Sequence, residues 1–174
     1  MKTEHLRPCD ILLYKGTSLT SHLIQWGTGS PYSHVAVVGE PGIALGVESN
    51  TGHQDGVRAI DLRKLSEETV DLFRLKPEFP IDKGKVISFL VDHLGAGFDY
   101  LGVTWLGVLK GVSVLTGMKY QPYNQFQKEK DYFCSELCYQ AFMAGGLDIV
   151  PQVGESDVTS PGDIAASERL QKIV

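Results

Sequence analysis

The chain has 174 residues, of which 43% are apolar and 21% charged, and carries a net charge of −5. That length and balance indicate one ordinary globular domain with a real core. The acidic balance, with no Lys/Arg cluster anywhere, excludes a nucleic-acid groove. Three cysteines, odd in number and without paired Cys-x-x-Cys motifs, point to free thiols in a reducing compartment. No apolar signal core follows Met1, so the expected location is cytoplasmic.

In chain order, Asp10-Ile11-Leu12-Leu13-Tyr14 predicts the first strand. Thr17 or Ser18 caps a short helix through Leu19, Leu23, Ile24 and Trp26, which Gly27 to Pro31 ends. Gly27 and Gly29 follow a helix and lack the Walker lysine, so they do not form a phosphate loop. A valine-rich strand opens at His34, and a second, Ile43 to Ser49, carries Glu48 near its end. The turn Glu40-Pro41-Gly42 between them suits a hairpin. After a polar loop at 50–56, strands are expected at Val57–Ile60 and Thr69–Leu75. The first half thus predicts a mostly antiparallel sheet.

Past Pro77 and Pro80 the period changes to helical. Val86, Ile87, Phe89, Leu90 and Leu94 fit a helix over 82–94, which Gly95-Ala96-Gly97 breaks. From Asp99 to about Leu115 a second helical stretch is apolar nearly all round. Its longest uncharged run, Tyr100 to Leu109, has 10 residues, against roughly 20 needed to span a bilayer. It reads as a packed helix, or as a wall for an apolar substrate. A polar loop at 120–130 leads to Asp131, a candidate N-cap for a helix starting at Cys134, which Gly145-Gly146 ends. Phe133, Leu137, Ala141 and Phe142 mark its buried face. Ser160-Pro161-Gly162-Asp163 predicts a last short helix through Ala165 and Leu170.

Cys134 lies in a first helical turn, where free backbone N–H groups and the positive helix end favour a thiolate and can bind an oxyanion. A thiolate nucleophile needs a base, and His34 at a strand start is the candidate. If the two strands pair, Glu48 approaches His34 from the side and orients the imidazole. Tyr14 and Ser135 are candidate oxyanion or substrate-binding groups. A metal site built from His34, Glu48 and His53 or Cys134 is the competing arrangement, but no helix-borne His-x-x-x-His supports it.

The Asp-Ile-Leu-Leu-Tyr strand, Ser-His followed by Val-Ala-Val-Val, the Val-Glu-Ser strand end and the late Phe-Cys-Ser-Glu-Leu together resemble the permuted branch of the NlpC-type papain-like cysteine peptidases. That branch is related to lecithin:retinol acyltransferases and poxvirus proteins. The resemblance covers roughly residues 8–147, with the order His34, Glu48, Cys134 reversed relative to ordinary papain-like enzymes. It implies an α+β papain-like domain with an antiparallel sheet packed on helices. It implies Cys134 as nucleophile, His34 as general base then acid, and Glu48 as the group that orients His34. The family usually has Gly before the Asp of its first strand, where this chain has Cys9, so that turn is expected to be unusual. No cofactor is implied. Expected substrates are a small peptide, an amide or a lipid-acyl group. A lipid-directed acyltransferase or esterase is the alternative activity, and a non-catalytic binding module the alternative class.

Overall fold

The computed structural model describes residues 3–51, 55–66, 69–98, 132–153 and 159–174. Among them, six strands form one antiparallel sheet: β1 (Ile11–Tyr14), β2 (His34–Glu40), β3 (Leu45–Asn50), β4 (Gly56–Asp61), β5 (Val70–Leu75) and β6 (Leu170–Lys172). Their order across the sheet is β4-β3-β2-β1-β5-β6. Four helices accompany them: α1 (Leu19–Thr28), α2 (Lys83–Asp92), α3 (Cys134–Ala144) and α4 (Pro161–Ala165). The architecture is α+β, with the antiparallel sheet that the alternating strands predict.

The sheet is covered on both faces, which is why its central strands read as nearly unbroken apolar runs. Ile11, Leu13, Val35, Val37, Val47 and Phe73 meet Val86 and Leu90 of α2 and Leu137, Ala141 and Phe142 of α3. The other face buries Leu12, Ala36, Val38 and Leu72 against Leu6, Ala44 and Leu62. Each large side chain fully buried here contributes about 1.5–3 kcal/mol. Phe142, with no exposed surface, joins α3 to the sheet.

Local chemistry explains the element ends. Ser18 caps α1 by accepting from the Ser21 N–H, and Gly29 closes it in the left-handed conformation. Asp82 caps α2, and Ser160 with Asp163 forms a capping box on α4. Cys9, in the position where Gly was expected, has φ +68°, a conformation that costs a residue with a side chain about 1–2 kcal/mol. Its N–H donates to the Val38 carbonyl and holds the start of β1 on β2.

Several expectations shift. β3 starts at Leu45 rather than Ile43, because Pro41–Ile43 winds into a 3-10 turn and Ala44 adopts φ +56°. The last helix stops at Ala165, and Leu170 belongs instead to β6, which pairs with β5 at the sheet edge. The N-cap position of α3 is Phe133 rather than Asp131, and no side chain caps it. Asp131 itself, His53, the apolar stretch 100–115 and the loop 120–130 lie outside the described residues. On α1, Leu19, Leu23 and Trp26 share one face at spacings of four and three, and that face is solvent-exposed.

Candidate active site

Strand register brings the first two candidate residues together. β2 and β3 pair with Ala36 opposite Glu48, so His34, two residues earlier, is the diagonal neighbour of Glu48 on the same face. The His34 Nε2 and Glu48 Oε2 are 2.7 Å apart. With Nε2 turned to the carboxylate, the ring's other nitrogen, Nδ1, is left for the sulfur of Cys134. His34 and Cys134 are hydrogen-bonded, and both are half-buried. α3 is brought to this strand end by packing against β2 and β3, and the Ser49 hydroxyl donates to the carbonyl of Tyr132, two residues before Cys134.

The electrostatics favour a charged pair. Burial alone raises the Cys134 thiol, but the His34 imidazolium beside it and hydrogen bonds from the backbone N–H groups of Val35 and Ser135 bring it below its ordinary value. The uncapped first turn of α3 leaves such N–H groups available. Burial likewise pushes His34 down, but the Cys134 thiolate and then the Glu48 carboxylate outweigh it, and the imidazole sits well above its usual range. Glu48 is raised by burial but held down to about 2 by its bonds from His34, Arg58 and Asn50. Both shifts run in the direction that favours thiolate and imidazolium, with an ionised carboxylate behind them.

Arg58 and Asn50 are site residues that the sequence reading passes over. Arg58 stands opposite Glu48 across the β3–β4 pairing. Its Nη2 and Nε donate to Glu48 Oε1 at 2.8 and 3.0 Å, and Asn50 Nδ2 donates to the same atom at 3.3 Å. Oε1 is thereby occupied and Oε2 is left to His34. The available signal was an arginine in a strand that would pair with the Glu48 strand, which requires the register to be known.

Tyr14 stands opposite His34 in the β1–β2 register, and the two rings meet edge-on with centroids 5.0 Å apart. Its hydroxyl is buried and has no hydrogen-bond partner among the described residues. Burial first, and then the Glu48 charge, push its ionisation up, so it is a proton-bearing donor beside the sulfur's base. Ser135 is placed differently. Its side-chain hydroxyl donates to the Thr159 carbonyl at 2.6 Å, while its backbone N–H serves Cys134. Glu40 is remote from this group: its side chain accepts from the Gly42 N–H in the β2–β3 turn. The other two cysteines are buried and free; burial pushes Cys9 up to about 11 and Cys138 higher still.

Among the described residues no group of three His, Cys, Asp or Glu side chains is arranged to hold a metal ion. The donor set of the site itself does not fit one either, since Nε2 of His34 faces Oε2 and a guanidinium faces Oε1.

Neither known protein families nor curated proteins give a sequence match. Among solved structures, the chain is similar to one titled "metalloprotein yiiX from Escherichia coli O157:H7, DUF1105". The TM-score is 0.68 at 16% identity, over 97% of this chain and 96% of that one. At that identity the likeness is one of fold.

Proposed function

We propose that this chain is a cysteine-dependent hydrolase of the peptidase or amidase type, with a papain-like domain in the permuted order His34, Glu48, Cys134. The observation that carries it is the half-buried relay of Cys134 and His34 backed by the buried Glu48, with the thiol held below its ordinary value. Cys134 attacks a carbonyl carbon through its thiolate. The imidazolium of His34 then gives its proton to the departing amine or alcohol, and a thioester remains. His34, now neutral, takes a proton from water as the water attacks the thioester, and Cys134 leaves again as thiolate. Glu48 keeps the ring oriented and its charge supported, and Arg58 and Asn50 keep Glu48 in place. The N–H of Ser135 and the unpartnered Tyr14 hydroxyl are the donors available to the oxyanion.

A second reading, transfer to or from a lipid-acyl substrate, is favoured by the outward stripe on α1. Leu19, Leu23 and Trp26 are 79%, 61% and 59% exposed. Gln25 of the same helix donates to the carbonyls of Gly16 and Pro31, and the Gly16 N–H donates to the Ser33 hydroxyl, next to His34. These bonds tie the start of α1 to the residue that precedes His34. The neighbour's title speaks of a metalloprotein, but the donor arrangement here supports no metal-borne step.

The experiment is hydrolysis of short peptide amides and of a chain-length series of acyl esters, with Cys134→Ala as the blank. Turnover of amides without chain-length dependence supports the amidase reading. A kcat/KM that climbs with ester chain length, and flattens in Trp26→Ala, supports the lipid reading. Equal rates for the wild type and Cys134→Ala would refute both.

A further inference from the structure

Away from the cysteine, Arg7, Cys9, Asp10, Arg74, Lys76 and Lys83 line a cavity of about 370 Å³ where β1 begins, β5 ends and α2 starts. Its size is that of a small-ligand site. Four cationic residues and a single acidic one are in its lining, and the carboxylate of that acidic residue is already matched. Arg74 donates to both oxygens of Asp10 at 2.7 Å, and the Arg7 N–H adds a third bond at 2.8 Å. The charged groups of Arg7, Lys76 and Lys83 remain without an ion pair among the described residues. The Lys76 ammonium rests on the Glu168 carbonyl, which leaves its charge unanswered.

Three uncompensated positive charges around one cavity are notable in a chain of net charge −5. They repel one another, and an anion seated among them removes that repulsion and gains charge-assisted hydrogen bonds. Cys9 is in the lining, 4% exposed and held at φ +68°. Strained backbone of this kind recurs where a ligand is clamped. Leu75, Pro77, Phe79 and Ile81 add apolar groups to the lining, which suit a carbon substituent beside the anionic group.

We propose that this cavity binds a phosphate group, as the dianion, carried by a small organic molecule or a lipid headgroup, with Arg7, Lys76 and Lys83 as its ligands. The site is distinct from the catalytic one. Cys9 bonds to Val38, four residues along β2 from His34, or about 13 Å at the usual strand rise. The proposal therefore does not depend on Cys134 chemistry.

Inorganic phosphate is the probe, titrated calorimetrically into the full chain, with chloride holding ionic strength constant. Saturable binding is expected. It weakens about tenfold or more in Arg7→Gln and in Lys83→Gln, and is lost in the double variant. Both residues are exposed, so the variants should melt like the wild type. Cys134→Ala should bind as the wild type does, which separates this site from the proposed hydrolase. Sedimentation with phosphatidylcholine vesicles, with and without phosphatidic acid, distinguishes the sources. Capture by phosphatidic acid that the double variant loses identifies a headgroup; phosphate binding without capture identifies a soluble phosphate. No saturable phosphate binding, or binding that the double variant retains, would overturn the proposal.

Discussion

Replacing Glu48 by Gln isolates the electrostatic part of the relay. The carboxylate lies 2.7 Å from His34 Nε2 and is ionised over the whole working range, since its bonds hold it down to about 2. A charge-assisted hydrogen bond contributes about 1.5–3 kcal/mol against about 1 kcal/mol for the neutral bond an amide can still make, a loss of roughly 0.5–2 kcal/mol. The carboxylate favours the imidazolium, so its neutral replacement must lower the His34 pKa. At about 1.36 kcal/mol per pH unit, the fall is about 0.4–1.5 units. The acid limb of turnover belongs to Cys134 in the presence of an imidazolium and should stay nearly fixed. The alkaline limb, where His34 loses its proton, should move down by the same amount. NMR titration of the His34 ring, read beside the pH profile of kcat/KM, checks both. A His34 pKa that is unchanged or raised in Glu48→Gln would refute the argument.

Iodoacetamide at neutral pH should label Cys134 well before Cys9 and Cys138, whose thiols burial pushes up, and peptide mapping reads the order. Preference for Cys9 would contradict the assignment. Tyr14→Phe removes a buried hydroxyl that bonds to nothing, so the melting temperature should hold or rise. If that hydroxyl meets the oxyanion, kcat falls about 10²–10³-fold while KM changes little. Burial raises Asp71, but the bonds it accepts from Lys15, Lys172 and the Tyr32 hydroxyl outweigh it and hold it down to about 2. Its contribution to stability is therefore present above its ordinary 3.8 and lost as pH falls toward 2. Asp71→Asn should be about 2 kcal/mol less stable at neutral pH, with a flatter stability curve between pH 4 and 2 by urea unfolding.

The parts of this fold that local chemistry dictates were readable in the chain. Short apolar runs marked β1 and β2, alternation marked β5, and Ser160 with Asp163 marked the entry to α4, because caps and strand patterns act over a few residues. The pairing of His34 with Glu48 was readable because a short turn joins their strands, and a hairpin fixes which side chains become diagonal neighbours. Arg58 was not, since its place opposite Glu48 depends on the β3–β4 register, which a polar loop leaves open. β6 has three residues, and only the edge of β5 makes Leu170–Lys172 a strand. Cys9 stood out as a side chain where a glycine was expected, and it does take the left-handed backbone. The outward face of α1 was hidden for the opposite reason: helical spacing reports that apolar residues share a face, and says nothing about what that face meets.

The central claim is that Cys134 forms a covalent acyl intermediate with His34 as its proton carrier. Rapid acid quench of the protein with a slowly deacylating acyl ester, followed by intact mass and peptide mapping, tests it directly. The account predicts a single acyl group on Cys134 in the wild type. The adduct should be absent in Cys134→Ala and should form at least about 10²-fold more slowly in His34→Ala. Substrate turnover with no adduct on Cys134, or an adduct that forms equally fast without His34, would contradict it.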